Sequence, residues 1–258
     1  MELNDIAMPG RKVPLLNGEF DPLTLSQTVD AIFGLIDAGR RGWVCTVNVA
    51  ILMTMRRDAW LQGFVDRAAL VIADGQPLVW CSRWLGGRLP ERVTGVDLID
   101  ALCARADLEK KTVYLLGATA ELVATLAARL RARYPALRVV YSDGYFSDDK
   151  ASTRVEHIRG SGADILLVGM GVPRQEKFIE RHWERLGVGI AIGVGGSFDV
   201  LAGLRLRAPV WMQNLGLEWL FRLIQEPRRL FLRYLVTNSQ FVWLVLRALV
   251  KRVRNLEY

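Results

Sequence analysis

Six short apolar runs lie between Trp43 and Gly196: "WVCTVNV", "ALVIAD", "TVYLLG", "LRVVYSDG", "DILLVGMG" and "GIAIGVGG". They are rich in Val, Ile and Leu, and most are stopped by Gly or Asp, as short buried strands are. Helix-like stretches separate them. In "TAELVATLAARLRARYP" (119–135) the apolar positions 122, 123, 126, 127 and 130 fall on one helical face before a proline stop. Strands apolar on both faces must be covered on both faces, and intervening amphipathic helices supply that cover when the strands run parallel. The pattern predicts an α/β fold: a doubly wound, mostly parallel, Rossmann-like sheet with right-handed crossovers. No internal repeat or low-complexity linker interrupts it.

In such sheets loops and helix N-termini converge at the carboxyl ends of the strands, and ligands bind there. The candidate residues are therefore those just after each run: Thr46 and Asn48, Asp74 and Gly75, Gly117, the Asp143-Gly144-Tyr145 turn, Gly169 through Glu176, and Gly193 through Asp199, which includes Gly195, Gly196 and Phe198. Glycine at a strand end lets backbone approach a ligand, and a helix N-terminus offers free N–H groups to a phosphate. Asp74 ends a buried run, where partial burial raises a carboxylate toward the range of a general base. An N-cap role for the helix that follows fits the same position. Gln175 and Glu176 either cap a helix or bind sugar hydroxyls with amide and carboxylate.

Several function classes find no support. Cys45, Cys81 and Cys103 lack CxxC spacing and lie in or near apolar stretches, so they read as buried small hydrophobes in a reducing cytosol. His157 and His182 sit on helical stretches away from the strand ends and read as surface or packing residues. No paired His or Cys accompanies them, so neither a metal-ligand cluster nor a Ser-His-Asp triad can be assembled. "GMGVPRQ" and "GVGGSFD" do not fit the dinucleotide pattern GxGxxG. The opening "MELNDIAMPGRKVPLL" lacks the apolar core of a secretory signal, and no apolar run reaches the roughly 18 residues a membrane span requires.

Charge is unevenly placed. Of the net +7, the stretch 219–258 carries +6, from eight Lys/Arg against two acids. Within it Arg229, Arg233, Thr237, Gln240, Arg247, Lys251 and Arg254 recur at helical steps, while Leu230, Phe231, Leu235, Phe241, Val242, Val245, Leu246 and Leu249 cover much of the remainder. The expected organisation is a catalytic α/β domain at 1–218 and a basic amphipathic helical tail at 219–258. Such a tail suits an anionic membrane surface, and an ordinary core-packed C-terminal helix is the other reading. No nucleic-acid partner is expected, and the oligomeric state is open.

The segments "TVNVA", "ADGQPLVW", "ERVTGVDLID", "LLGAT", "YSDGYF", "VGMGVPRQEKFI", "IGVGGSFDVLAG", "RAPVWMQNLGLEWLFRLIQEPRR" and "LRY" occur in this order. Together they resemble the WecG/TagA/CpsF family of glycosyltransferases over about residues 13 to 235. The resemblance implies inverting, metal-independent transfer of a sugar from a UDP-sugar to a polyprenyl-diphosphate-linked sugar, by a protein peripheral on the cytoplasmic membrane face. It implies Asp74 as the base and Thr46, Asn48 and Gln175 as pocket residues. Arg92 falls in one matching segment, and Arg222, Arg229 and Arg233 match tail arginines that complete the site. Guanidinium groups take the place of a cation at the leaving diphosphate. The alternating pattern alone also permits a nicotinamide-dependent oxidoreductase, which the missing fingerprint disfavours. A non-enzymatic membrane-docking protein leaves Asp74 and the "PRQE" cluster without a role.

Overall fold

The computed structural model describes residues 11–254. Residues 1–10, most of the opening stretch that lacks a signal core, fall outside them. A small antiparallel hairpin, β1 (Val13–Leu15) and β2 (Gly18–Phe20), precedes helix α1 (Leu25–Asp37). Thr24 caps α1 reciprocally with Gln27, so that each side chain satisfies a backbone N–H otherwise left free at the helix start. Then come β3 (Gly42–Val47), α2 (Val49–Met55), α3 (Ala59–Asp66), β4 (Leu70–Ala73), α4 (Gln76–Trp84), α5 (Gly95–Leu108), β5 (Thr112–Gly117), α6 (Ala120–Arg133) and β6 (Arg138–Ser142). The body closes with α7 (Asp148–Gly160), β7 (Ile165–Gly169), α8 (Arg174–Leu186), β8 (Ile190–Gly193) and α9 (Ser197–Leu201).

All six apolar runs are strands of one parallel sheet, in the order β4-β3-β8-β7-β5-β6. The period-2 alternation of a strand divides their side chains between two cores. Ile165 and Leu167 of β7 join Ile190 and Ile192 of β8 in a cluster covered by α1, α5, α6 and α9, while Leu166 and Val168 join Ala191 and Tyr114 under α2, α3, α4, α7 and α8. The sheet is thus doubly wound, as the sequence predicts.

Chain direction sets the crevice. From β5 the chain moves outward to β6, and from β7 it moves the opposite way to β8, so the switch point lies between β5 and β7. There the backbones nearly touch. Gly117 has φ +152°, and a Cβ on it would lie 2.5 Å from the Gly169 carbonyl oxygen.

Beyond α9 the chain leaves the sheet. Two short helices, α10 (Val210–Asn214) and α11 (Glu218–Gln225), lead into α12 (Pro227–Arg254), which is 28 residues long. The sequence spreads the α12 apolar positions over much of the surface that the cations leave, and the structure divides them. Phe241, Leu244 and Val245 are buried in the core cluster that α2 and α4 share, and Leu230 is buried too. Phe231, Leu232, Leu235, Val236, Val242, Trp243, Leu246 and Val250 form a band on the other side, each at least 42% exposed. Arg229, Arg233, Arg247, Lys251 and Arg254 flank it at helical spacing. The core-packed helix and the surface helix are two sides of the same element.

Candidate active site

Asp74 stands immediately after β4, with its backbone N–H donating to the Val47 carbonyl at 2.9 Å, so the parallel pairing with β3 carries the carboxylate to the carboxyl edge of the sheet, at its β4 end. It does not cap α4: Gly75 occupies that cap position, with no side-chain cap bond. Asn48, at the end of β3, caps α2 by accepting from the Ile51 N–H at 3.0 Å, and it also hydrogen-bonds the Asp74 carboxylate. With its carbonyl oxygen engaged by the cap, the amide N–H is the group turned to Asp74. Burial lifts Asp74 to about 6, and the anion of Glu218 pushes the same way. Arg222, Arg92 and the Asn48 bond oppose this. The result is a carboxyl group that is ionised at neutral pH yet basic enough to accept a proton.

The structure therefore brings Asp74, Asn48, Arg92 and Arg222 together, although 148 positions in sequence separate Asp74 from Arg222. Tyr234 of α12 lies in the same field: burial raises its phenol first, and Arg222, Arg233, Asp74 and Arg229 act on it. Arg229 and Arg233 are thereby placed around Tyr234, with Arg229 also paired to Glu226 at 2.5 Å. Thr46 is buried and donates its hydroxyl to the Gly193 carbonyl at 3.2 Å, bracing β3 against β8 near the carboxyl edge of the sheet.

Gln175 and Glu176, for which the sequence leaves capping and sugar binding open, are buried, with exposures of 2% and 7%. The Gln175 amide donates to Glu176 Oε1 at 2.8 Å, and its carbonyl accepts from the Gly195 N–H at 3.1 Å. The pair sits behind the glycine loop and holds its shape. A Cβ on Gly193 would lie 2.5 Å from the Gln175 amide nitrogen, which is why that strand must end in glycine. Glu176 Oε2 has no hydrogen-bond partner among the described residues, and burial pushes this carboxyl to about 7. Phe198 is likewise internal, 1% exposed, with its ring packed under Gly169.

The other expected positions spread along the same edge. Gly117 and Gly169 form the switch-point floor. Above Gly195 the space is open, with nothing within 4 Å of an added Cβ, whereas one on Gly196 would meet the Asp199 carboxylate at 3.6 Å and the Arg205 guanidinium at 3.8 Å. Asp199 pairs with Arg205 at 3.1 Å, and Tyr145 projects outward at 71% exposure. Among the described residues no group of three or more His, Cys, Asp or Glu stands together to hold a metal. The three cysteines are buried and free. His157 is exposed but accepts or donates at 2.6 Å with the buried Tyr114 hydroxyl, a packing role.

Sequence reasoning missed Glu218 and Arg207. Glu218 pairs with Arg92, whose other arm donates to Gln213 Oε1 at 3.0 Å. Arg207 grips Asp97 with two bonds of 2.7 and 2.6 Å and lies 3.9 Å from Glu218 through Nε. Neither residue ends a strand, so the rule that found Asp74 is blind to them. The signal available was the clustering of charge inside an otherwise apolar segment, "RLRAPVWMQNLGLEWLFR".

The profile of the "Glycosyl transferase WecG/TagA/CpsF family" matches residues 13–255. An N-acetylglucosaminyldiphosphoundecaprenol N-acetyl-beta-D-mannosaminyltransferase of Bacillus subtilis (strain 168) is 34% identical over 187 residues, 72% of this chain and 72% of the relative. A protein of the same name from Staphylococcus aureus (strain MW2) is 32% identical over 222 residues, 85% and 87% of the two chains.

Proposed function

This chain belongs to the WecG/TagA/CpsF family of glycosyltransferases, and from that premise we propose that it transfers a sugar from a UDP-sugar to a polyprenyl-diphosphate-linked glycan, inverting the anomeric carbon, without a metal ion. The acceptor class is carried over from the names of the two relatives. The observation that carries the mechanism is the setting of Asp74: a partly buried carboxylate at a strand end, oriented by Asn48 and raised to about 6, with Arg92 and Arg222 beside it.

In this reading the acceptor hydroxyl gives its proton to Asp74 while its oxygen attacks the anomeric carbon from the face opposite the nucleotide. The bond from that carbon to the diphosphate oxygen breaks, and UDP leaves with the electron pair. Charge grows on the leaving diphosphate. Arg222 and Arg92 both act electrostatically on Asp74, and guanidinium groups bind phosphate oxygens through two parallel bonds, so in this reading they offset that charge. The open space over Gly195 lets the diphosphate approach the backbone of the glycine loop.

Docking on an anionic membrane surface through α12 belongs to the same proposal. Its support is the exposed apolar band with a flank of cations, the make-up of a helix that lies in the interface plane. Among the described residues no helix is long and apolar enough to cross a membrane. Because Arg222, Arg229 and Arg233 lie on or next to this helix, docking places them at the lipid-borne acceptor.

The test is incubation with a panel of UDP-sugars and an N-acetylglucosaminyl-diphosphate-polyprenol acceptor, read by product mass. Transfer of one hexosyl unit with release of UDP is expected. A panel that yields only UDP-sugar hydrolysis, or no product while NAD raises the melting temperature, overturns the reading.

A further inference from the structure

Helix α11 presents two charged residues to Asp74 from one face. Glu218 and Arg222 are four residues apart, so they lie one above the other on the helix. Their position is fixed by the turn before α11. Gly216, at φ +63°, packs so closely on α4 that an added Cβ would come 3.0 Å from both the Gln76 Cβ and the Trp80 ring. Since α4 begins just after Asp74, this contact locks α11 beside the carboxylate.

The groups facing Asp74 come from five parts of the chain. Asn48 at the β3–α2 junction donates a hydrogen bond, Arg92 precedes α5, Arg207 lies in the strand-free stretch after α9, Glu218 and Arg222 come from α11, and Tyr234 comes from α12. Arg222 and Arg92 act on the carboxylate directly, and Arg207, which also feels it, is held by Asp97. Cations without compensation stabilise the ionised form and leave a poor base. Glu218 is the anion among them. It is 21% exposed, it pairs with Arg92, and it lies 3.9 Å from Arg207 Nε.

We propose that Glu218 is a positioning residue for the transfer reaction: it holds Arg92 in place and offsets the surrounding guanidinium charge so that Asp74 stays basic enough to take the acceptor proton. This inference rests on the glycosyl-transfer reading. Glu218 touches neither sugar in this scheme and acts only through Arg92 and through the field at Asp74.

The experiment is the pH dependence of kcat/KM and kcat for wild type, Glu218→Gln, Glu218→Ala and Glu218→Asp. Removing the anion lets Arg92 and Arg222 act on Asp74 without that offset, while Arg207 stays paired with Asp97, so the Asp74 titration falls to lower pH. Activity, which rises as Asp74 loses its proton, then has its acidic limb displaced to lower pH in the Gln and Ala variants. A weaker base also transfers protons more slowly, so their plateau kcat drops a few-fold. Glu218→Asp retains the charge and keeps the wild-type limb. A loss of rate in both neutral variants with the limb unmoved shows a merely structural role and overturns the proposal.

A second readout is independent of turnover. An Asp74 held above its ordinary value weakens the fold at pH 7.5, so Asp74→Asn raises the melting temperature, and in a Glu218→Gln background that gain shrinks. A gain of equal size in the two backgrounds also refutes the role of Glu218. Failure of wild type to use any UDP-sugar, with the shrinking gain intact, counts against the transfer reading and not against Glu218.

Discussion

Replacing Asp74 by Asn removes the proposed base and relieves a cost that the fold carries, and the size of that relief follows from the structure. The carboxyl is raised from its ordinary 3.8 to about 6 by burial. The folded state therefore holds the proton more tightly than the unfolded chain between those two values, and stability falls as pH rises through that window. Above about 6 the cost is fully present. A shift of about 2 units at 1.36 kcal/mol each is on the order of 3 kcal/mol, an upper figure because Asp74 is not fully enclosed. Asn has the same shape and no charge, so Asp74→Asn is expected to be more stable than wild type at pH 7.5 by up to about 3 kcal/mol. In a chain of this size that raises the melting temperature by several degrees, roughly 2–4 °C for each kcal/mol. At pH 4 wild-type Asp74 is protonated when folded, and the gap closes to about 0.5 kcal/mol. Turnover moves the other way, falling by about 10²-fold or more with the loss of the base. Thermal melts of both proteins at pH 4 and 7.5, beside a transfer assay at pH 7.5, read all three numbers. A variant that melts at or below wild type at pH 7.5, or a gap that does not narrow at pH 4, refutes the burial argument. Near-normal turnover removes Asp74 from the chemistry.

Further outcomes are expected. EDTA is expected to leave transfer intact, because the proposed mechanism has arginines neutralise the diphosphate; activity that vanishes with chelator and returns with magnesium or manganese contradicts this. Gly117→Ala places a methyl 2.5 Å from the Gly169 carbonyl at a φ of +152°, so it is expected to destabilise the protein by several kcal/mol or prevent folding, which a denaturant titration measures. Exchanging Phe231, Trp243 and Leu246, each at least 55% exposed, for Ser should release the protein from anionic liposomes without lowering its melting temperature, whereas Phe241→Ala, on the buried seam, should cost about 3 kcal/mol and leave liposome binding unchanged. Binding should weaken as salt rises; pelleting that is indifferent to the three Ser substitutions and to salt means that α12 is not the docking element.

How far the sequence carried depends on the kind of signal. The six strands were legible because burial on both faces demands unbroken apolar runs, and Gly or Asp marks where burial ends. Asp74, Thr46, Asn48 and Gly117 were legible for the same reason, since a strand end is a position in space as well as in sequence. Gln175 and Glu176 were found as residues with two roles left open: amide and carboxylate look alike from sequence whether they face a sugar or brace a loop, and only the packing of α8 behind Gly193 and Gly195 shows that they brace it. The α12 apolar positions show the same limit. Their spacing gives a helix, but which of them are core follows from where α2 and α4 lie, and α2 precedes that helix by about 170 residues. Local periodicity, set by backbone geometry and the need to bury apolar surface, thus determined from sequence alone the sheet, its order of elements and the strand-end carboxylate. The tertiary structure alone decided which charges share the field of Asp74: Arg92, Arg207, Glu218 and Arg222 meet there because a parallel sheet and the Gly216 contact fold distant segments together, and Coulomb interaction depends on distance through space, to which sequence separation is no guide.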